Sequence, residues 1–318
     1  MVKQCLFNLF VKILNKIKNR YIDFVKLESV ILVGTFFSLW LAVIFEDVIE
    51  QYIAYVFILS FGILHGANDL TLLQKTEAKN KSTRNYLNIL LYYILFVLGS
   101  VLVFHLVPSL ALVMFVLFSG YHFGEQHFIS KTSISSLKTS GLYIAYGIFI
   151  LFLLFDANAM ITSNIVETII GYSIPKSVYE VGLLISGILT LVFGFILVLI
   201  NDIKINPLKE VFFIGVFFVV FKTASLLWGF AIYFILWHSI PSLYDQIFYL
   251  HGHINKGSFK SFLMASLPYW LISVLGFLVL LFVFRDNLET SLAFFFSFLA
   301  AITFPHVLVI KKLNQGQK

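Results

Sequence analysis

Apolar residues along this chain come in runs too long for the strands or half-buried helices of a water-soluble domain. Runs of spanning length fall at 30–45, 51–73, 86–107, 109–129, 137–156, 178–200, 207–222, 224–250, 262–284 and 288–311. A bilayer core about 30 Å thick needs about 20 such residues in α-helix, so the pattern predicts about ten spans. The range is eight to ten, because the first and seventh runs are short. None of the runs alternates polar and apolar residues as the strands of an outer-membrane barrel would. Ahead of them, residues 1–28 interleave apolar side chains with Lys3, Lys12, Lys16, Lys18, Arg20 and Lys26. That mixture predicts a basic amphipathic segment lying on an anionic leaflet. The expected fold is all-α: a polytopic transmembrane helical bundle, with 29–318 as a single membrane domain behind the 1–28 segment.

The short polar interruptions give an orientation. Lys75, Lys79, Lys81 and Arg84 occupy one loop, Lys131 and Lys138 the next loop on the same side, then Lys204 and Lys209, Lys256 and Lys260, and finally Lys311 and Lys312. The opposite loops carry Glu46, Asp47 and Glu50, then Asp156 and Glu167, then Arg285 with Asp286. Lysine and arginine stay on the cytoplasmic side during insertion, so both termini are expected in the cytoplasm and the chain in a cell inner membrane.

Composition narrows the function classes. Hydrophobic residues make up 60% of the 318 positions and charged residues 12%, where a soluble domain has about 25% charged. The net charge of +6 does not signal nucleic acid, because its basic residues sit in short loops on one side. Cys5 is the single cysteine, which excludes an internal disulfide and a thiolate metal cluster. The N-terminus has no short apolar core ending in a small-residue cleavage site, so no removable signal peptide is expected. Phosphate-loop, dinucleotide-glycine and Gly-x-Ser-x-Gly signatures are absent.

Against this background four histidines stand out. His65 lies in LHGAND, His122 in YHFGEQH, His238 in WHSIPS and His306 in FPHVL. All four fall inside runs expected to descend toward the cytoplasm, each in the cytoplasmic half. Ionisable side chains in a span are costly and mark functional sites, although a lone intramembrane histidine often only bonds one helix to another. Four at one depth, with carboxylates nearby, point to a metal. Asp69 follows His65 by four residues, Glu125 shares a helix face with His122, and Asp245 lies two turns from His238. A metal-bound imidazole gives its second N–H to such an acceptor, so Asp69, Glu125 and Asp245 are the candidate orienting groups. Pro241 and Pro305 predict irregular helices beside His238 and His306. His105 near a span end, and His251 and His253 in a loop, are expected to be peripheral. His127, five residues past His122, points about 140° away on an α-helix and is expected at the interface. Lys222 marks a short turn between the seventh and eighth runs rather than a Schiff-base lysine, since no counter-ion pattern accompanies it.

Taken together, HGAND at 65–69, YHFGE at 121–125, WHS at 237–239 and PH at 305–306 resemble the Brp/Blh family of membrane-integral β-carotene 15,15′-dioxygenases. The resemblance covers most of the chain beyond the N-terminal segment. It implies an Fe2+-dependent enzyme that uses O2 to split β-carotene at its central double bond into two all-trans-retinal molecules. It also implies that His65, His122 and His238 are iron ligands, with no catalytic residue beyond the metal ligands. The third motif of the family ends in a second histidine, HSxxH, where this chain has Ser242. His306, His127 or a water then completes the coordination sphere, and His306 is the expected ligand by its depth. The implied partners are the two substrates and the bilayer, with a functional link to a retinal-binding rhodopsin. Two other readings use the same residues: a non-catalytic carotenoid- or retinal-binding protein, and a proton-coupled membrane transporter.

Overall fold

Eight helical segments are long and apolar enough to cross a membrane. The computed structural model describes residues 26–76, 83–133, 136–283 and 288–316, and among these it is helical with no strand. The all-α polytopic bundle is therefore what the apolar pattern predicts. The segment expected over 1–28, and Cys5 with it, lies almost wholly outside the described residues.

In chain order the elements are α1 (Lys26–Ile44), α2 (Asp47–Phe57), a π-helical segment (Ile58–Gly62), α3 (Ile63–Gly66) and α4 (Asp69–Thr76). There follow α5 (Thr83–Leu106), α6 (Pro108–Phe128), α7 (Leu137–Ala157), α8 (Ala159–Ile170), α9 (Lys176–Leu199) and α10 (Pro207–Thr223). Last come α11 (Leu226–Ile232), a second π-helical segment (Tyr233–Ser239), α12 (Ile240–His251), α13 (Lys256–Val283) and α14 (Leu288–Gly316). The sequence pattern has ten apolar runs; the two that are not among the eight spanning segments are α6 and α10. Polar side chains fill the last turns of α6, and α10 has 17 residues. Both still run between the same two ends of the bundle as their neighbours.

Contacts identify those ends. Loop residues Lys131 and Ser133 pair with Lys204 and Asp202, Lys209 reaches Glu28 at 2.6 Å, and Lys75 donates to the carbonyls of Tyr249 and Leu250. All the basic loops in these contacts thus gather at one end. At the other end Lys222 faces Asp156 at 3.4 Å, and the Ser225 N–H donates to Glu50 at 2.8 Å. Lys222 lies in the last turn of α10, two residues before the break that starts α11, as the short-turn reading expects.

The core forms around α11 and the segment after it, where every residue from Leu226 to Ile235 is buried. Phe217, Phe221, Phe230, Tyr233 and Phe234 pack there as one aromatic cluster. Helices α5, α9 and α13 instead present Leu, Ile, Val and Phe outward, the surface that lipid tails accept at no cost. The closest crossing is α6 on α7. A Cβ at Gly124 would run into the Tyr143 carbonyl, and one at Gly147 into the Gly120 carbonyl. Glycine allows these backbones to touch, the device that membrane helices use in place of a hydrophobic driving force. That crossing holds α6, and with it His122, against the core.

Candidate metal centre

Each of the four histidines is delivered by a different helical stretch. His65 sits in α3, directly after the first π-helical segment. His238 lies inside the second such segment, His122 in α6 and His306 in α14. A π turn holds an extra residue and occurs frequently at functional sites. Its cause at His238 is local: Pro241 has no N–H to donate to the carbonyl four residues back, and its ring crowds that carbonyl. The irregularity expected from Pro241 is thus present, while α14 continues through Pro305.

The four rings form a closed circuit. Ring centroids are 5.2 Å apart for His65–His238, 4.5 Å for His238–His122, 5.1 Å for His122–His306 and 4.7 Å for His306–His65. Every neighbouring pair meets edge to face. One nitrogen each from His65, His122 and His238 lies within 4.8 Å of the others. All four residues are buried, none more than 4% exposed.

Hydrogen bonds decide which nitrogens point inward. His65 Nδ1 donates to the Gly62 carbonyl, the last residue of the π turn. His306 Nδ1 lies 2.7 Å from Asp69 Oδ1. These bonds leave Nε2 of both rings for the centre. His306 Nε2 has no hydrogen-bond partner, and neither nitrogen of His122 or His238 has one. Buried polar atoms without partners are rare and costly, and three rings that each have an unpartnered nitrogen to offer fit a metal that would take one from each as a ligand. Imidazole suits iron, zinc, copper and nickel alike, so the donor set accepts Fe2+ without selecting it.

Of the expected orienting carboxylates, Asp69 takes part, although with His306 rather than with His65, its neighbour on the same helix face. The break between α3 and α4 turns Asp69 out of line with His65. Its second oxygen accepts from Tyr93 at 3.0 Å. Glu125 accepts from Tyr121 at 3.2 Å, and Asp245 from Gln126 at 3.1 Å; neither carboxylate accepts a direct hydrogen bond from His122 or His238, whose nitrogens are unpartnered. Ser242 accepts from Gln246, whose amide also donates to the His65 carbonyl. His127 is turned away from the centre, as its spacing predicts. It stacks on Tyr146 and pairs with Glu210 at 2.7 Å. Glu210 also binds Lys131 at 2.8 Å in the following loop, where burial pushes the lysine ammonium below its usual range.

Sequence reasoning does not find Gly62, Tyr93 or Gln246. Tyr93 lies within an apolar run that holds Tyr92 and other aromatics, so nothing in the pattern singles it out; Gly62 contributes only a carbonyl.

The ring opens onto an apolar cavity of about 530 Å³, inside the range of small-molecule sites, about 300–1,000 Å³. All four histidines, Asp69 and Tyr93 line it. The remaining wall is mostly Phe, Leu, Ile and Val, with Tyr269 and the hydroxyl residues Ser119, Ser273 and Thr303 among them, so the cavity suits a ligand with few polar atoms.

A family model described as Beta-carotene 15,15′-dioxygenase matches residues 56–314. Nothing matches among curated proteins or among solved structures.

Proposed function

Since the chain belongs to the β-carotene 15,15′-dioxygenase family, we propose that it binds Fe2+ at the four-histidine ring and uses O2 to cleave β-carotene centrally into two all-trans-retinal molecules. The observation that carries this reading is the ring itself: four buried imidazoles, three of them with unpartnered nitrogens, facing an apolar cavity.

His65, His122, His238 and His306 are the residues that would hold the metal. When bound, iron supplies the redox chemistry that makes dioxygen reactive toward a carbon–carbon double bond. The protein's own part is placement. Gly62 fixes the His65 tautomer, and Asp69 fixes that of His306 while Tyr93 holds Asp69 in place. His306 stands in for the imidazole that Ser242 does not provide. Phe234 and the other apolar walls exclude water and seat the polyene, so that the reacting bond is positioned by shape. The reaction centre lies among membrane-length helices, so a bilayer serves as substrate reservoir. The basic loops fit a cell inner membrane with both termini cytoplasmic, where the retinal is available to a rhodopsin.

Expression in a β-carotene-accumulating bacterium tests the reading, with retinal and residual carotene measured by chromatography. Retinal is expected from the intact chain and not from His122→Ala. Intact pigment co-purifying with an iron-free protein would instead establish the carotenoid-binding alternative. Ion flux in liposomes without bound iron would establish the transporter.

A further inference from the structure

The cavity has an exit that the histidine ring does not explain. Ile94 and Leu98 of α5 line it, as do Ile272 and Gly276 of α13. These same residues are exposed on the outer surface of the bundle: Leu98 by 58% and Ile272 by 70%. A residue that both lines a cavity and faces outward stands at its rim. Helix α5 packs on α14, α6 and α4, whereas α13 packs on α14, α3 and α12; α5 and α13 make at most marginal contact with each other. A gap therefore lies between them, with Phe298 and Ile302 of α14 as its floor.

Depth determines what passes through this gap. Positions 94 and 98 fall in the middle of the spanning part of α5, Leu87–Leu106, at the level of lipid tails rather than water. The rim residues themselves are apolar, with the hydroxyls of Ser273 and Tyr269 nearby on α13. Size matters as well. The cavity-lining stretch of α14, Phe298 to His306, is eight helical steps, about 12 Å, and a full-length carotenoid is much longer. Part of a bound polyene must therefore extend beyond the cavity.

Building on the carotenoid reading above, we propose that the gap between α5 and α13 is a lateral portal through which the polyene passes from the bilayer, with Ile272 and Gly276 setting its width. Gly276 has no atom within 4 Å of the position a Cβ would take. A large side chain there enters open space and narrows the gap without displacing the fold. The wild-type glycine keeps the rim open at this point.

The test separates passage from binding and from turnover. Purified protein in liposomes is supplied with β-carotene without oxygen, and uptake is followed by the absorbance change of the bound pigment. Ile272→Trp and Gly276→Trp are expected to slow uptake and release about tenfold, as a steric gate lowers rates in both directions. Iron content should equal that of the wild type. Leu275→Trp, also exposed but outside the cavity lining, should take up pigment at the wild-type rate. Wild-type uptake rates in both rim variants would overturn the portal and leave the carotenoid reading standing. Failure of the wild type itself to take up pigment would overturn the carotenoid reading and the portal with it.

Discussion

His306 Nδ1 and Asp69 Oδ1 meet at 2.7 Å across 237 residues of sequence. The pair joins the last spanning helix to the second and aims the other nitrogen of His306 at the remaining three imidazoles. Carboxylates behind ligating histidines are worth about 10–100-fold in metal affinity. Asp69→Ala should therefore weaken Fe2+ binding by about that factor, measured by anoxic titration in detergent. Asp69→Asn keeps an oxygen that can accept from the ring and should lose less. Tyr93→Phe removes only the bond that holds the carboxylate, and should lose least. Equal affinities across this series would mean that Asp69 ties helices together without orienting a ligand.

Metal removal should be visible in stability as well as in activity. With unpartnered nitrogens buried on three of the four rings, a bound ion contributes what folding alone does not recover. Binding at about 100 times Kd adds about 2.7 kcal/mol. Chelation should lower the thermal midpoint by several degrees, and Fe2+ should restore it. In His122→Ala the midpoint should no longer respond to either treatment. A midpoint indifferent to metal in the intact chain would favour the reading of these histidines as interhelical glue.

Much of this was legible in the amino acids, for identifiable reasons. Apolar run length reports helices directly, because a bilayer leaves backbone groups no partner outside the helix. Histidines at a common depth report a centre because their burial is costly. Spacing along a helix fails where the helix is irregular. Asp69 follows His65 by four residues, but the break after Gly66 separates their directions, so the carboxylate serves His306 instead. Tyr93 carries no such cost, because one more aromatic in an apolar run is ordinary. The count of spans differs for α6 and α10 because the site residues make the last turns of α6 polar and because α10, though apolar, has only 17 residues.

Gly147→Ala tests how strictly the α6–α7 crossing is set. The added methyl would meet the Gly120 carbonyl, which is backbone and cannot rotate aside. Overpacking of this kind costs about 1–3 kcal/mol, and separating the helices would also shift His122, two residues further along α6. The unfolding midpoint in denaturing detergent should fall, with iron content falling in step. Gly99→Ala, where a Cβ meets nothing within 4 Å, should behave as wild type.

At the basic end of the bundle, Glu210 holds His127 and Lys131 together, both mostly buried. Removing one partner of a buried pair leaves an uncompensated charge, whereas removing both can be nearly neutral. Glu210→Gln should destabilise the protein by about 1–3 kcal/mol, between the exposed and fully buried cases. Adding Lys131→Met should recover most of that loss. A double variant no more stable than the single one would mean that the interaction with His127 dominates.

The final prediction concerns the wall behind the histidine ring. Phe234 stacks between Phe230 at 5.1 Å and His238 at 5.6 Å, nearly parallel to both. A Cβ on Gly62 would strike the edge of the Phe234 ring. The stack denies that ring a free direction, so Gly62→Ala must push the displacement toward His238, while the backbone carbonyl that holds His65 is retained. Iron affinity and cleavage should therefore fall together, by about the 10-fold or more expected when a ligand's support is disturbed. Phe234→Leu added to Gly62→Ala provides room and should restore iron binding, although the altered wall should still raise KM for the carotenoid. Wild-type iron binding in Gly62→Ala alone would show that Phe234 moves independently of His238, and would remove the stack from the account of how the centre is held.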